Sequence, residues 1–159
     1  VDRIAVDDGH TAHAGARPSH AEWQGQIYSR SGKSKIYPNF EASTGYGSGE
    51  GLCGWNCRHS FFPYYEGTSR AYTSKMLKEY SERAVNYNGA TLSEYDARQQ
   101  QRYYERQIRR WRREEEALGA AGQPTERARA KVREWRAKQS DFVSQTGLKR
   151  QYDRERIAK

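Results

Sequence analysis

Three of the four histidines and both cysteines of the chain fall within two short segments. The first runs His13-Ala-Gly-Ala-Arg17-Pro-Ser-His20-Ala-Glu-Trp23-Gln-Gly25, and the second runs Gly51-Leu-Cys53-Gly-Trp55-Asn-Cys57-Arg-His59. Imidazole and thiolate are the preferred ligands of zinc, which takes four of them in a tetrahedron. The two segments therefore read as knuckles folded together around one ion. On a strand, residues i and i+2 point to one face, so Cys57 and His59 can share a metal. His20 joins them from the first knuckle, and the fourth place falls to His13 or Cys53. The alternative is a pair of small buried cysteines beside histidines that only hydrogen-bond. His10 lies outside the tight cluster and reads as a surface residue.

A staple would matter because the chain is poor in core material. Hydrophobic residues are 35 % of the sequence and mean hydropathy is −1.18, whereas globular domains are usually about 45–50 % apolar. Aromatics still reach 13 %, with 12 Tyr and 4 Trp, which argues against a disordered chain and for a small aromatic core. A structural zinc would add folding energy outright. No apolar run approaches the roughly 20 residues of a membrane-spanning helix, so no membrane partner is expected. No signal peptide is visible, and a first residue Val1 reads as a fragment or processed piece. Two cysteines four positions apart make no disulfide framework and suit a reducing compartment or a metal site.

Along the chain, Asp7-Asp8-Gly9-His10 signals a turn after a short apolar stretch. Pro18 can open a short helix through Trp23, with Gly25 ending it. Gln26–Ser29 and Lys35–Tyr37 read as two strands of a hairpin around Ser31–Ser34. The glycine-rich stretch 43–54 lacks the strand–loop–helix setting and the Lys of a phosphate-cradling loop, so it reads as a flexible loop delivering Cys53 and Cys57. Arg58–Phe62 is a strand stopped by Pro63. From Ser74 the period turns helical, first to about Val85. A second helix starts at a capping box of Thr91 and Glu94 and runs to about Leu118. Its apolar stripe is Tyr104, Ile108, Trp111 and Leu118. A third, from about Thr125 to Ser144, carries Ala128, Val132, Trp135 and Phe142 at the same spacings of 4, 3 and 7. A short Gly/Pro link between them predicts an antiparallel hairpin, stripe to stripe. Leu148–Ile157 reads as a last charged helix. The fold class is α+β: a metal-stapled, β-containing domain over 1–72, then a basic helical region over 73–159 made of the hairpin and a short terminal helix.

The net charge of +8 is unevenly placed. Residues 1–90 hold 10 basic against 9 acidic side chains, and residues 91–159 hold 18 against 11. A basic excess of this kind suits a polyanion partner, most simply nucleic acid, or is a solvated helix surface. Arg98, Arg102, Arg106, Arg109, Arg110, Arg112 and Arg113 would touch phosphates without reading sequence. Alternatively they form an intrahelical network, with Glu105 at salt-bridge spacing from Arg102 and Arg109.

The knuckle residues also carry a resemblance. The pattern His13-x-Gly-Ala-Arg17-Pro-x-His20-Ala-x-Trp23-Gln-Gly25, then Tyr37-Pro38, then Thr44-Gly45-Tyr46-Gly47, then Asn56-Cys57-Arg58-His59-Ser60-Phe61 resembles the C-terminal region of minor capsid proteins of tailed bacteriophages. It is similar to a variant of the Mu F-like head-morphogenesis motif, Arg-x-Cys-x-x-Cys-x-x-x-Asp-Gly-Lys-Val-Phe and later His-Pro-x-Cys-Arg-Cys. Gln24-Gly25-Gln26-Ile27-Tyr28 matches the Asp-Gly-Lys-Val-Phe segment. His20 stands at the second cysteine and His59 at the last, exchanges of one ligand for another. Arg17 replaces the first cysteine and Gly54 the histidine, so His13 or Cys53 would have to supply what is missing. Tyr95, Gln101-Arg102, Glu105–Arg109 and Thr146-Gly147-Leu148 resemble the tail of such proteins. The resemblance implies a virion or procapsid component of a larger protein, assembled in the bacterial host cytoplasm. Its expected partners are portal or capsid proteins, packaged DNA or further copies of itself. The chain thus reads as a structural protein rather than an enzyme. A small nuclease or toxin-like domain is the alternative, with His13 and His20 as acid and base and Arg17 holding a phosphate. A metal-dependent hydrolase would need a base such as Glu22 beside an open zinc position, and no His-Glu-x-x-His motif is present.

Overall fold

A computed structural model of the chain describes residues 2–7, 16–70 and 72–157. The fold is α+β, with helices and two small antiparallel sheets. It divides into two compact units, Val1–Arg83 and Ala84–Lys159. No helix of the described residues is long and apolar enough to cross a membrane.

In the first unit, the short apolar run after Asp2 becomes β1 (Arg3–Asp7), the central strand of a three-stranded sheet. It pairs antiparallel with β2 (Ile27–Ser29) on one edge and β3 (Ser60–Pro63) on the other. Lys35–Tyr37 does not form the anticipated hairpin with β2. It is a series of bends in which the Ser34 hydroxyl accepts from the backbone N–H groups of Ile36 and Tyr37. Ile36 is 78 % exposed, so the segment has no apolar face to bury in a sheet. The anticipated first helix is reduced to one turn, α1 (Pro18–Ala21), with Gly25 in the left-handed region at φ +69°. Then α2 (Phe40–Thr44) starts on Asn39, whose side chain accepts from the Ala42 N–H. The core is small and aromatic: Ile4, Val6, Tyr28, Phe40 and Leu52, with Trp23, Cys57 and Phe61 packed against it. Phe40 meets Phe61 edge-on at 4.8 Å, the geometry aromatic quadrupoles favour. A further helix, α3 (Ser74–Ser81), is capped by the Thr73 hydroxyl and ends four residues before the position its sequence suggested.

The second unit opens with a hairpin that the reading of a helix to about Val85 and a capping box at Thr91 overlooked: β4 (Ala84–Tyr87) and β5 (Ala90–Ser93). Asn88 and Gly89 have φ of +49° and +78°, the two positive values of a type I′ turn, for which Asn-Gly is the preferred pair. Thr91 is consequently in a strand, hydrogen-bonding across to Asn86. The capping role passes to Ser93, whose hydroxyl accepts from the Asp96 N–H and donates to its carboxylate. Two long helices follow, α4 (Glu94–Ala120) and α5 (Glu126–Thr146). They are antiparallel, since Glu115 reaches Arg129 while Tyr104 packs on Phe142. Tyr104, Ile108, Ala128, Val132 and Phe142 are buried as the stripes required, with Trp111, Leu118 and Trp135 half-buried. Past Gly147, which closes α5 in the left-handed region, the segment is not the anticipated helix. Only Tyr152–Glu155 makes a 3-10 turn. Side chains of α4 claim its carbonyls instead: Gln101 donates to Lys149, Arg109 to Arg154, and Arg112 to Glu155.

The helical core also holds polar side chains at positions that the helical period assigns to it. Glu105, read from the sequence as part of an intrahelical network, is 1 % exposed, and Gln139 is fully buried. Glu105 Oε1 and both polar atoms of the Gln139 side chain have no hydrogen-bond partner among the described residues. Burial pushes the Glu105 carboxyl above its usual range, against the pull of Arg154 and Arg109. A raised folded value means this group favours folding below the unfolded value and loses that contribution as pH rises through the folded one. Glu105→Gln therefore raises stability at pH 7 by about 1 kcal/mol, and the gain vanishes near pH 4, as read from denaturant melts at both pH values. A variant less stable than the parent at pH 7 would show that the arginines outweigh burial.

Candidate metal centre

The two knuckles meet. His20, on α1, and Cys57 and His59, just before β3, place one ligand atom each within 4.8 Å of one another. His20 and His59 are buried and Cys57 is half-buried. Cys57 Sγ lies 3.4 Å from His59 Nδ1. Zinc bonds of about 2.0–2.3 Å imply ligand–ligand edges of roughly 3.3–3.8 Å, so this pair already has the separation of two corners of a zinc tetrahedron. His20 Nε2 lies 2.9 Å from the Glu50 carbonyl oxygen. A carbonyl only accepts, so Nε2 carries the proton and, in the neutral ring, Nδ1 keeps the lone pair. That is the orientation in which metal-bound histidines are commonly held. Trp23 stacks on the His20 ring at 4.3 Å and fixes its plane.

The glycine-rich stretch sets this arrangement through close backbone packing rather than by flexibility. A Cβ on Gly51 would sit 1.8 Å from the Gly45 carbonyl oxygen, and one on Gly54 would sit 2.3 Å from that of Gly49. Successive turns thereby bring Leu52 into the core and Cys57 to its edge, while Cys53 is exposed. Cys53, at φ +59°, turns its thiol toward the His59 carbonyl at 3.3 Å. Burial pushes that thiol up, and Cys57 adds to the shift. Cys53 is not within the three-residue group. His13, like His10, lies outside the described residues.

Arg17 forms an ion pair with Glu50 at 2.7 Å and donates to the Trp55 carbonyl. Glu50 thus holds both His20, through its backbone, and Arg17, through its carboxylate. Nothing in the sequence marked Glu50 out, because its role depends on the turns of the glycine-rich stretch. Glu22 is exposed and is absent from the three-residue group. Of the arginines singled out by charge, Arg98 pairs with Glu94, and Arg109 and Arg112 hold the C-terminal segment. Arg102 and Glu105 interact electrostatically. Arg106, Arg110 and Arg113 are exposed.

The three side chains that could hold a metal lie on the residues that carry the phage resemblance. The family model of phage minor capsid protein 2 matches residues 9–144, and the chain belongs to that family. It is 34 % identical over 152 residues to a structural protein of Lactococcus phage LL-H, an alignment covering 91 % of this chain and 38 % of that protein. It is 38 % identical over 117 residues to a structural protein of Lactococcus phage mv4, covering 72 % of this chain and 87 % of that one. No solved structure matches the chain.

Proposed function

We propose that this phage minor capsid chain serves in the virion as a zinc-stapled unit joined to a basic contact arm. His20, Cys57 and His59 hold the ion, and Cys53 is the described residue that could take the fourth place. The ion would supply folding energy to a unit whose apolar core is only a few aromatic and aliphatic side chains. The observation that supports this most is the convergence of two imidazoles and one thiol from knuckles more than thirty residues apart. The helical hairpin then meets other particle components, portal or capsid proteins or the packaged DNA. The engagement of Arg17 by Glu50 favours this structural role over a nuclease in which Arg17 would hold a phosphate.

The test uses phage that encode this chain, parent and His59→Ala. Peptide mass spectrometry of purified particles should find the chain in the parent and at least tenfold less of it in the variant. Parent particles lacking the chain, or variant particles carrying it undiminished, would overturn the reading.

A further inference from the structure

Arg106, Arg110 and Arg113 follow one another at i, i+4 and i+7 on α4, all exposed. Arg106 has an arginine at both i−4 and i+4, and Arg113 has one at i−4. Like charges at this spacing work against a helix, so the row is not explained by helix stability. The same unit pairs other charges, Glu94 with Arg98, Glu115 with Arg129, Glu134 with Lys131 and Lys138, and Glu155 with Arg150, while Arg127, Arg133 and Arg136 on α5 are exposed and likewise have no ion pair among the described residues. Glu114 and Glu116 stand at i+4 from Arg110 and i+3 from Arg113. Even so, among the described residues, none of the three arginines has an ion pair within 4.0 Å. Arg110 lies over the Trp111 ring at 5.4 Å, and no carboxylate among the described residues neutralises the row.

We infer that this row is a binding surface for the phosphate backbone of double-stranded DNA, recognised without regard to sequence. The inference rests on the contact-arm reading above and names its partner. Three features favour DNA over an acidic protein. The basic groups are guanidinium forks, which match phosphate oxygens two donors at a time. They are spread along about 10 Å of one helix face, so a rod-like polyanion can meet them together. Protein interfaces, by contrast, deplete charge at their centre and anchor on buried apolar side chains. Here the only exposed large hydrophobic side chain of the helix is Tyr103, at 39 %.

The test is fluorescence anisotropy of the full chain with labelled duplexes of two unrelated sequences, across a salt series. The parent should bind both duplexes alike. Converting all three arginines to glutamine should weaken binding at least tenfold at low salt. It should also flatten the slope of log affinity against log salt by about 3, since each phosphate contact contributes roughly 0.9. Lys33→Gln with Lys35→Gln, exposed in the first unit, should change the slope by less than half as much. Circular dichroism melts check that the variants fold. An unchanged slope in the arginine variant, or no duplex binding by the parent, would overturn the inference. Binding of poly-glutamate through the same arginines, with no duplex binding, would overturn it while keeping the arm as a contact surface. Absence of the chain from particles, with duplex binding intact, would instead sink the virion reading alone.

Discussion

Phe142→Ala lowers the stability of the helical unit by about 4 kcal/mol, the largest effect of any single side chain there. Phe142 is fully buried. Its ring meets Tyr87 of the hairpin at 4.7 Å and Tyr104 of α4 at 5.5 Å, both edge to face, and Leu148 packs into the same cluster. It is therefore where β4, α4, α5 and the segment after α5 come together. Truncating a buried phenylalanine costs roughly 3–5 kcal/mol, because transfer energy is lost and a cavity remains. Domains of this size have about 5–15 kcal/mol in total. A fall in Tm of roughly 15–30 °C follows from the usual entropy of unfolding, and a calorimetric scan reads it. A fall below about 5 °C would mean that the hairpin and helices do not share this core.

Cys57→Ser has the second large effect, and it discriminates sharply. Serine keeps the shape of cysteine with a smaller terminal atom, and Cys57 is only half-buried, so without a metal the substitution costs about 1 kcal/mol. With zinc held by His20, Cys57 and His59, it removes the thiolate and with it much of the ion's contribution to folding. The loss is then roughly 3 kcal/mol or more, and it disappears when parent and variant are compared in excess chelator. A denaturation series with and without chelator separates the two cases. Equal losses in both conditions would assign Cys57 to packing alone.

Both residues were legible in the sequence, for different reasons. Phe142 belongs to a 3.6-residue stripe, and long amphipathic helices announce themselves by period. Cys57 and His59 were legible as ligand types at i and i+2, and His20 as their counterpart across the chain. What was missed depended on competition between local signals. Val85 to Ser93 alternates as a strand pair around Asn88-Gly89, yet the helical pattern before it and the Thr91–Glu94 box after it suggested helix on both sides. The sheet then displaced the cap by two residues, to Ser93. Lys35–Tyr37 looks like a strand by composition, but the partner of β2 is β1, from the start of the chain. Local sequence carries no information about that pairing. Glu105 and Gln139 sit where helical period places core positions, and only their polarity concealed them. Glu50 holds two site residues through a carbonyl and a carboxylate, and the carbonyl leaves no trace in residue identity.

The metal reading is tested most directly by plasma mass spectrometry of zinc in the full chain, purified without chelator. The expected result is about one zinc per chain, falling to near zero in Cys57→Ser, with loss of the first unit's near-ultraviolet aromatic signal when the parent is treated with chelator. A parent chain free of zinc after purification and zinc challenge, with that aromatic signal intact, would contradict the account and leave His20, Cys57 and His59 as packed side chains.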